Sequence, residues 1–147
     1  MPSVIFLPLL RELVKTYQAF ESYSAIHIRS LGLTPPQFDI IATLGNTQGM
    51  TPKDLGEKTL ITKGTLTGVV DRLTDKGLVR RTASLSDGRS QIVQLTSEGE
   101  QMFTHIFPAH VLHMERAFAT LPPAELTELT VRLHRLREAF SVARETL

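Results

Sequence analysis

The stretch from Ile61 to Gly77, ITKGTLTGVVDRLTDKG, constrains the fold most. On a helix starting at Thr62, Leu66, Val69, Val70 and Leu73 recur at i, i+3, i+4 and i+7, a narrow apolar stripe that needs a core beneath it. The other face collects Gly64, Thr67, Gly68, Asp71 and Arg72, with Lys63 and Thr65 beside them near the start. Each interior glycine costs a helix about 1 kcal/mol relative to alanine, so two of them four residues apart on an outward face suit a surface that a partner approaches closely. A nucleic-acid groove is such a partner. An ordinary amphipathic surface helix fits the same pattern. The helix has a written stop: Gly77 stands at the C-prime position, Lys76 in the last turn and Leu78 just beyond.

On the N-terminal side, GMTPKDLGEK opens another helix, with Thr51 as N-cap, Pro52 at the first helical position and Asp54 three after the cap, a variant of the capping box. That helix runs to about Thr59. The short link LITK then leads into the Thr62 helix, which is the layout of a helix-turn-helix without the usual turn glycine. After Gly77 the period changes to two. LVRRTA and QIVQLT alternate and are rich in β-branched residues, and they flank SLSDGRS, whose Asp87-Gly88 pair signals a tight turn. A hairpin carrying Arg80, Arg81 and Arg89 follows from this. Thr51 to Leu95 holds eight Lys/Arg against five acids, a net of +3, while the rest of the chain is −2. The middle of the chain is its basic part.

The outer segments are helical. Leu10, Leu13, Val14, Tyr17, Phe20, Ile28 and Leu31 place a long first helix over about Pro8 to Leu31, stopped by Gly32. A second starts in LTPPQFDIIATL with Thr34 as N-cap and ends near Gly45 or Asn46. Ser97 and Glu100 form a capping box for a helix carrying Met102, Phe103, Ile106, Phe107, Val111, Met114 and Phe118, with a kink expected at Pro108. The last helix carries Leu126, Leu129, Leu133, Leu136, Phe140, Ala143 and Leu147 at alternating intervals of three and four. That heptad seam points to a helical partner, most simply a second copy of the chain.

A chain of 147 residues, 41% hydrophobic, can bury a core as a single domain. With no cysteine, disulfides, zinc–thiolate sites, thiol nucleophiles and cysteine redox sensing are excluded. The opening MPSVIFLPLL is too short an apolar run, and has no basic residue before it, to be expected to act as a secretory leader or membrane span. Gly-rich phosphate loops, Gly-x-Ser-x-Gly and His-Glu-x-x-His are absent, so the motifs argue against a hydrolase or transferase. The helix-turn-helix with its hairpin could serve DNA or a protein partner, because fold does not fix function. Its basic charge favours DNA.

Taken together, the order helix, helix, helix-turn-helix, hairpin, helix, helix resembles the MarR family of bacterial winged-helix regulators over nearly the whole chain. The likeness is most specific in TPKDLGEKTLITKGTLTGVVDRLTDKGLVRR and in SDGRSQIVQLTSEG, with its Asp-x-Arg element and Leu-Thr-x-x-Gly. It implies a mainly α fold with a small β-hairpin wing. A winged helix-turn-helix lobe would occupy residues 34–96, and a helical dimerisation region 1–33 and 97–147, within a single domain spanning 1–147. The function implied is that of a cytoplasmic, sequence-specific regulator of transcription, most simply a ligand-responsive repressor binding double-stranded DNA as a homodimer on a pseudo-palindromic operator, and not an enzyme.

Residue by residue, the resemblance makes the Thr62 helix the major-groove element, with Thr62, Lys63, Thr65, Thr67, Gly68 and Arg72 at the DNA. Thr51 and Lys53 would touch phosphate. Arg89 would enter the minor groove, steadied by Asp87. Leu10, Leu126, Leu129, Leu133, Leu136 and Phe140 would join the dimer interface. Tyr23 and His27, one turn apart on the first helix, would border a pocket for a small aromatic or phenolic effector, or pack within the interface. His105, His110 and His113 share no clean i, i+4 face, so surface or core histidines are expected rather than a metal site, and no cofactor is implied.

The wing gives a separable prediction. Arg89→Ala removes one cation from the DNA interface and should lower the slope of log affinity against log salt by about 1 per protomer. It should also weaken preference for A·T-rich flanks, where a narrow groove concentrates negative potential. Arg89→Lys should keep most of the slope and lose much of the preference. A titration on duplexes with two flank compositions at several salt concentrations checks both; an unchanged slope and flank preference in Arg89→Ala would make the wing only a structural hairpin.

Overall fold

A computed structural model gives the structure of residues 4–84 and 90–147. It is mainly α, with helices α1 (Leu7–Ser30), α2 (Pro35–Leu44), α3 (Pro52–Lys58), α4 (Lys63–Asp75), α5 (Ser97–Phe118) and α6 (Pro123–Glu145), and strands β1 (Val79–Ala83) and β2 (Gln91–Leu95) between α4 and α5. The chain divides into two compact units, Met1–Val111 and Leu112–Leu147. The first of these units contains the helix-turn-helix, the hairpin and their core.

The helix starts are those the side chains dictate. Thr34 Oγ1 accepts from the Gln37 amide while Gln37 Oε1 accepts from the Thr34 amide, a complete capping box at the head of α2. Thr51 Oγ1 accepts from the Asp54 amide at 3.1 Å and starts α3. α4 ends as its sequence demands: Gly77 has φ +75, and the Leu78 and Gly77 amides donate to the Leu73 and Thr74 carbonyls, the paired bonds of a Schellman stop.

The expected cap of α5 is corrected. Ser97 lies inside the helix, and its predecessor Thr96 is the cap, accepting from the Gly99 amide at 3.1 Å. The choice has a physical reason. The Thr96 hydroxyl also donates to the Gly77 carbonyl at 2.6 Å, and its amide donates to the Leu78 carbonyl, so one residue joins the end of α4, the end of the hairpin and the start of α5. α5 continues as helix through Pro108.

The hairpin is antiparallel, pairing Val79 with Leu95, Arg81 with Val93 and Ala83 with Gln91. Its expected Asp87-Gly88 turn and the wing-tip Arg89 lie outside the described residues. A feature unanticipated in the sequence completes the wing: Met50 pairs with Val93 through two backbone bonds, from the Met50 amide at 3.0 Å and from the Val93 amide at 2.8 Å. Beside it, Gly49 adopts φ +96 under the β2 backbone.

The core gathers around α2 and α4. Ile40, Ile41 and Leu44 of α2, Leu55 of α3, Leu73 of α4, Val79 of β1 and Val93 of β2 are all but completely buried, joined by Leu66, Val69 and Val70 and by Phe103 and Ile106 of α5. The stripe expected on α4 is thus the stripe observed. α1 differs: it buries Ser24 and Ile28, while Leu10, Val14, Tyr17 and Phe20 remain exposed within the single chain. In the Leu112–Leu147 unit α6 buries no residue, and Leu129, Leu133 and Phe140 of its seam are exposed.

A sign test follows at Gly99, in the first turn of α5. A Cβ there would meet the Leu78 carbonyl oxygen, a backbone atom that cannot swing away. Helix propensity alone would make alanine stabilising by about 1 kcal/mol. Overpacking against backbone should reverse this, and Gly99→Ala is expected to destabilise by about 1–3 kcal/mol in urea unfolding. A stabilised variant would show that α5 does not approach Leu78 this closely.

Candidate nucleic-acid interface

α4 is anchored by its stripe and open on its other side. Lys63, Gly64, Thr65, Thr67, Gly68, Asp71 and Arg72 are all exposed. A Cβ added at Gly64 or Gly68 would meet nothing within 4 Å, so neither glycine is there to fit the protein's own interior. The Thr62 hydroxyl donates to Thr65 Oγ1 at 3.1 Å, and Thr62 makes no side-chain cap bond, so the two hydroxyls sit together at the exposed start of the helix.

On α3, Lys53 is exposed in the first turn, whereas Thr51 is half-buried and uses its oxygen on the Asp54 amide. The strand arginines are partly committed. Arg81 donates to Asp71 Oδ1 at 2.6 Å, tying β1 to α4 and neutralising an acid of the open face. As a partly exposed pair it contributes roughly 0–1 kcal/mol. Arg80 donates twice to Gln94 Oε1 across the hairpin. Lys63 and Arg72 are exposed cations of α4, with Lys53 on α3.

Two arrangements escaped the sequence reading. On α2, Asp39 Oδ2 accepts from the Leu60 amide at 3.1 Å, across 21 residues, within the turn between α3 and α4. Burial pushes its carboxyl above the usual range, against the lowering effects of the Leu60 amide and the Thr43 hydroxyl. In the sequence it shows only as a lone acid within the apolar run QFDIIATL, which does not name its partner. The second arrangement surrounds His110, which is buried. Its Nε2 lies 3.1 Å from Ser24 Oγ, its Nδ1 lies 2.9 Å from His27 Nδ1, and the Phe38 ring packs 4.5 Å away, centre to centre.

Of the residues set apart by sequence, His27 and Tyr23 are thus half-buried on α1, with His27 against His110. His105 is exposed, and the three histidines of α5 do not gather at one point; among the described residues no group of three His, Cys, Asp or Glu side chains is placed to hold a metal. No described helix is long and apolar enough to cross a membrane.

Two helices joined by a short turn, the second open to a partner, followed by a two-stranded wing, define a winged helix-turn-helix protein. Residues 31–90 match the sequence profile described as the MarR family. The HTH-type transcriptional regulator MhqR of Bacillus subtilis is 30% identical over 130 residues, 88% of this chain and 90% of MhqR. AbsC, a MarR family transcriptional regulator from Streptomyces coelicolor, has the same fold with a TM-score of 0.83 at 27% identity, over 92% of this chain and 93% of AbsC. Sco3205, another MarR family regulator from that organism, solved in complex with DNA, matches with a TM-score of 0.81 at 24% identity, over 90% of this chain and 86% of its own. The chain belongs to the MarR family of transcriptional regulators.

Gly68 provides the test of this face. With open space around it, Gly68→Leu should leave the fold as stable or raise it by up to about 1 kcal/mol through helix propensity. The same side chain should weaken duplex binding by blocking entry to the groove. Thermal unfolding and duplex titration read the two effects; unchanged affinity would turn this face away from DNA.

Proposed function

We propose that this protein is a homodimeric, sequence-specific double-stranded DNA-binding regulator, acting in the cytoplasm as a ligand-responsive repressor on a pseudo-palindromic operator. The observation that carries the reading is the division of α4. Its stripe Leu66, Val69, Val70 and Leu73 is buried, while Lys63, Thr65, Thr67, Gly68 and Arg72 stand on a face free of intramolecular bulk. Such a helix can enter the major groove, about 12 Å wide, with its backbone close to the base edges. Lys63 and Arg72 supply charge and bidentate hydrogen-bonding capacity, and the threonines supply short donors and acceptors. Lys53 and the start of α3 add phosphate contacts, and Arg89 with Asp87 serves the wing. The DNA complex of Sco3205 supports the reading by analogy of fold.

The dimer is supported by apolar surface that the single chain leaves exposed: Leu10, Val14, Tyr17 and Phe20 on α1, and Leu129, Leu133 and Phe140 on α6. Exposed apolar residues in helical register call for a helical partner. Leu126 and Leu136 are half-exposed on the same seam. The domain division follows from this reading, with 34–96 as the DNA-binding lobe and 1–33 with 97–147 as the dimerisation region. A small aromatic or phenolic effector bound beside Tyr23 and His27 would need to favour a different separation of the two α4 helices by only a few kcal/mol to release a two-site operator.

Selection of duplexes from a random pool tests the whole reading. The expected product is a palindrome with half-sites about one helical turn apart. Recovery of unselected sequence at moderate salt would sink it. The seam is tested separately: Leu133→Glu or Leu136→Glu places an unpaired charge at the interface, costing several kcal/mol, and should yield monomers with weakened duplex binding. Sedimentation at micromolar concentration reads this directly, and persistent dimers would remove the seam from the interface.

A further inference from the structure

We propose that Asp39 is a positioning residue that fixes the start of α4 by holding the turn before it. The proposal rests on the reading of α4 as the DNA-contacting helix and names a residue that touches no DNA in that reading.

The turn between α3 and α4 is held at few points. α3 ends at Lys58, and the Thr59 hydroxyl donates back to the Leu55 carbonyl at 2.8 Å. Ile61 packs partly against the core, but Leu60 is 77% exposed and is not part of that core. What holds Leu60 is its amide, donated to Asp39 Oδ2 at 3.1 Å. The Thr43 hydroxyl, one turn further along α2, favours the ionised carboxylate.

The head of α4 needs such a hold. α2 and α3 each begin with a threonine hydroxyl accepting a backbone amide, whereas Thr62 makes no side-chain cap bond and turns its hydroxyl to Thr65. An uncapped helix start frays more readily. Leu60 lies two residues before Thr62 and three before Lys63, so freedom at Leu60 is freedom in the candidate contacts. α2 therefore acts on α4 twice, through buried Ile40, Ile41 and Leu44 on one side and through Asp39 at the turn.

A role in stability alone is a poor account of this acid. Its carboxyl is raised mainly by burial, so the folded pKa exceeds the unfolded one; above that range the ionised form opposes folding, and the fold would gain as pH falls. A neutral acceptor in its place would hold the turn at no such cost.

Asp39→Asn and Asp39→Ala separate the possibilities, using a duplex selected by the wild-type chain. Asp39→Ala should lose about tenfold in affinity, the scale of one hydrogen bond to a charged group, while Asp39→Asn, which keeps an acceptor oxygen, stays within about threefold. The asparagine variant should unfold at or above the wild-type temperature. In the free protein, amide exchange at Leu60 and over residues 63–66 should speed up in Asp39→Ala and not in Asp39→Asn. Wild-type affinity or unchanged exchange in Asp39→Ala overturns the role, as does failure of asparagine to restore both. If the wild-type chain selects no duplex, the DNA reading fails by itself, and the exchange result alone upholds or overturns the hold on the turn.

Discussion

The burial of four side chains along one side of α4 is the constraint on which the rest depends. Leu66, Val69, Val70 and Leu73 can leave water only if α2 lies beneath them, and α2 carries the apolar density for that in Ile40, Ile41 and Leu44. Full burial of each such side chain contributes about 1.5–3 kcal/mol, so the four together outweigh any single polar contact of the lobe. With the inner side fixed, the angular position of every outer residue on α4 follows from helical geometry. The polar contacts then refine what packing has placed: Thr96 binds the end of α4 to the wing and α5, Arg81 ties the wing strand to Asp71, and Asp39 holds the turn.

Local signals were legible wherever a single residue type had one physical use. Thr34, Thr51 and Gly77 stand where capping chemistry put them, and the α4 stripe was read without error because the 3.6 period leaves one choice of buried face. At α5 the capping rule met two adjacent hydroxyl residues, and only tertiary contact chose Thr96, through the Gly77 carbonyl. The apolar pattern of α1 was legible as helix but not as surface: periodicity says which residues share a face, not whether the covering neighbour belongs to the same chain.

What stayed hidden were the pairings across long sequence separations. The Met50–Val93 bridge joins residues whose local sequence marks neither as a partner, and Met50 has no strand around it to announce it. His110 could be seen only as one of three histidines on a helix, because Ser24 and His27 reach it from more than 80 residues away. Asp39 was similarly silent, since nothing in QFDIIATL indicates that its acid turns toward an amide 21 residues on. Each depends on where packing places one element against another, which periodicity does not encode.

The open face of α4 has a consequence for how such a chain can diverge. A side chain at Gly64 or Gly68 would point into open space, and Thr67 and Arg72 lie exposed beside them, while the buried stripe that packs into the core sits on the opposite side of the same helix. Two independent alphabets are thus interleaved at a spacing of three and four, one read by the hydrophobic core and one by the outside world. Replacement in the second alphabet leaves the first untouched, so descendants of this sequence can explore new targets one residue at a time without passing through unfolded ancestors.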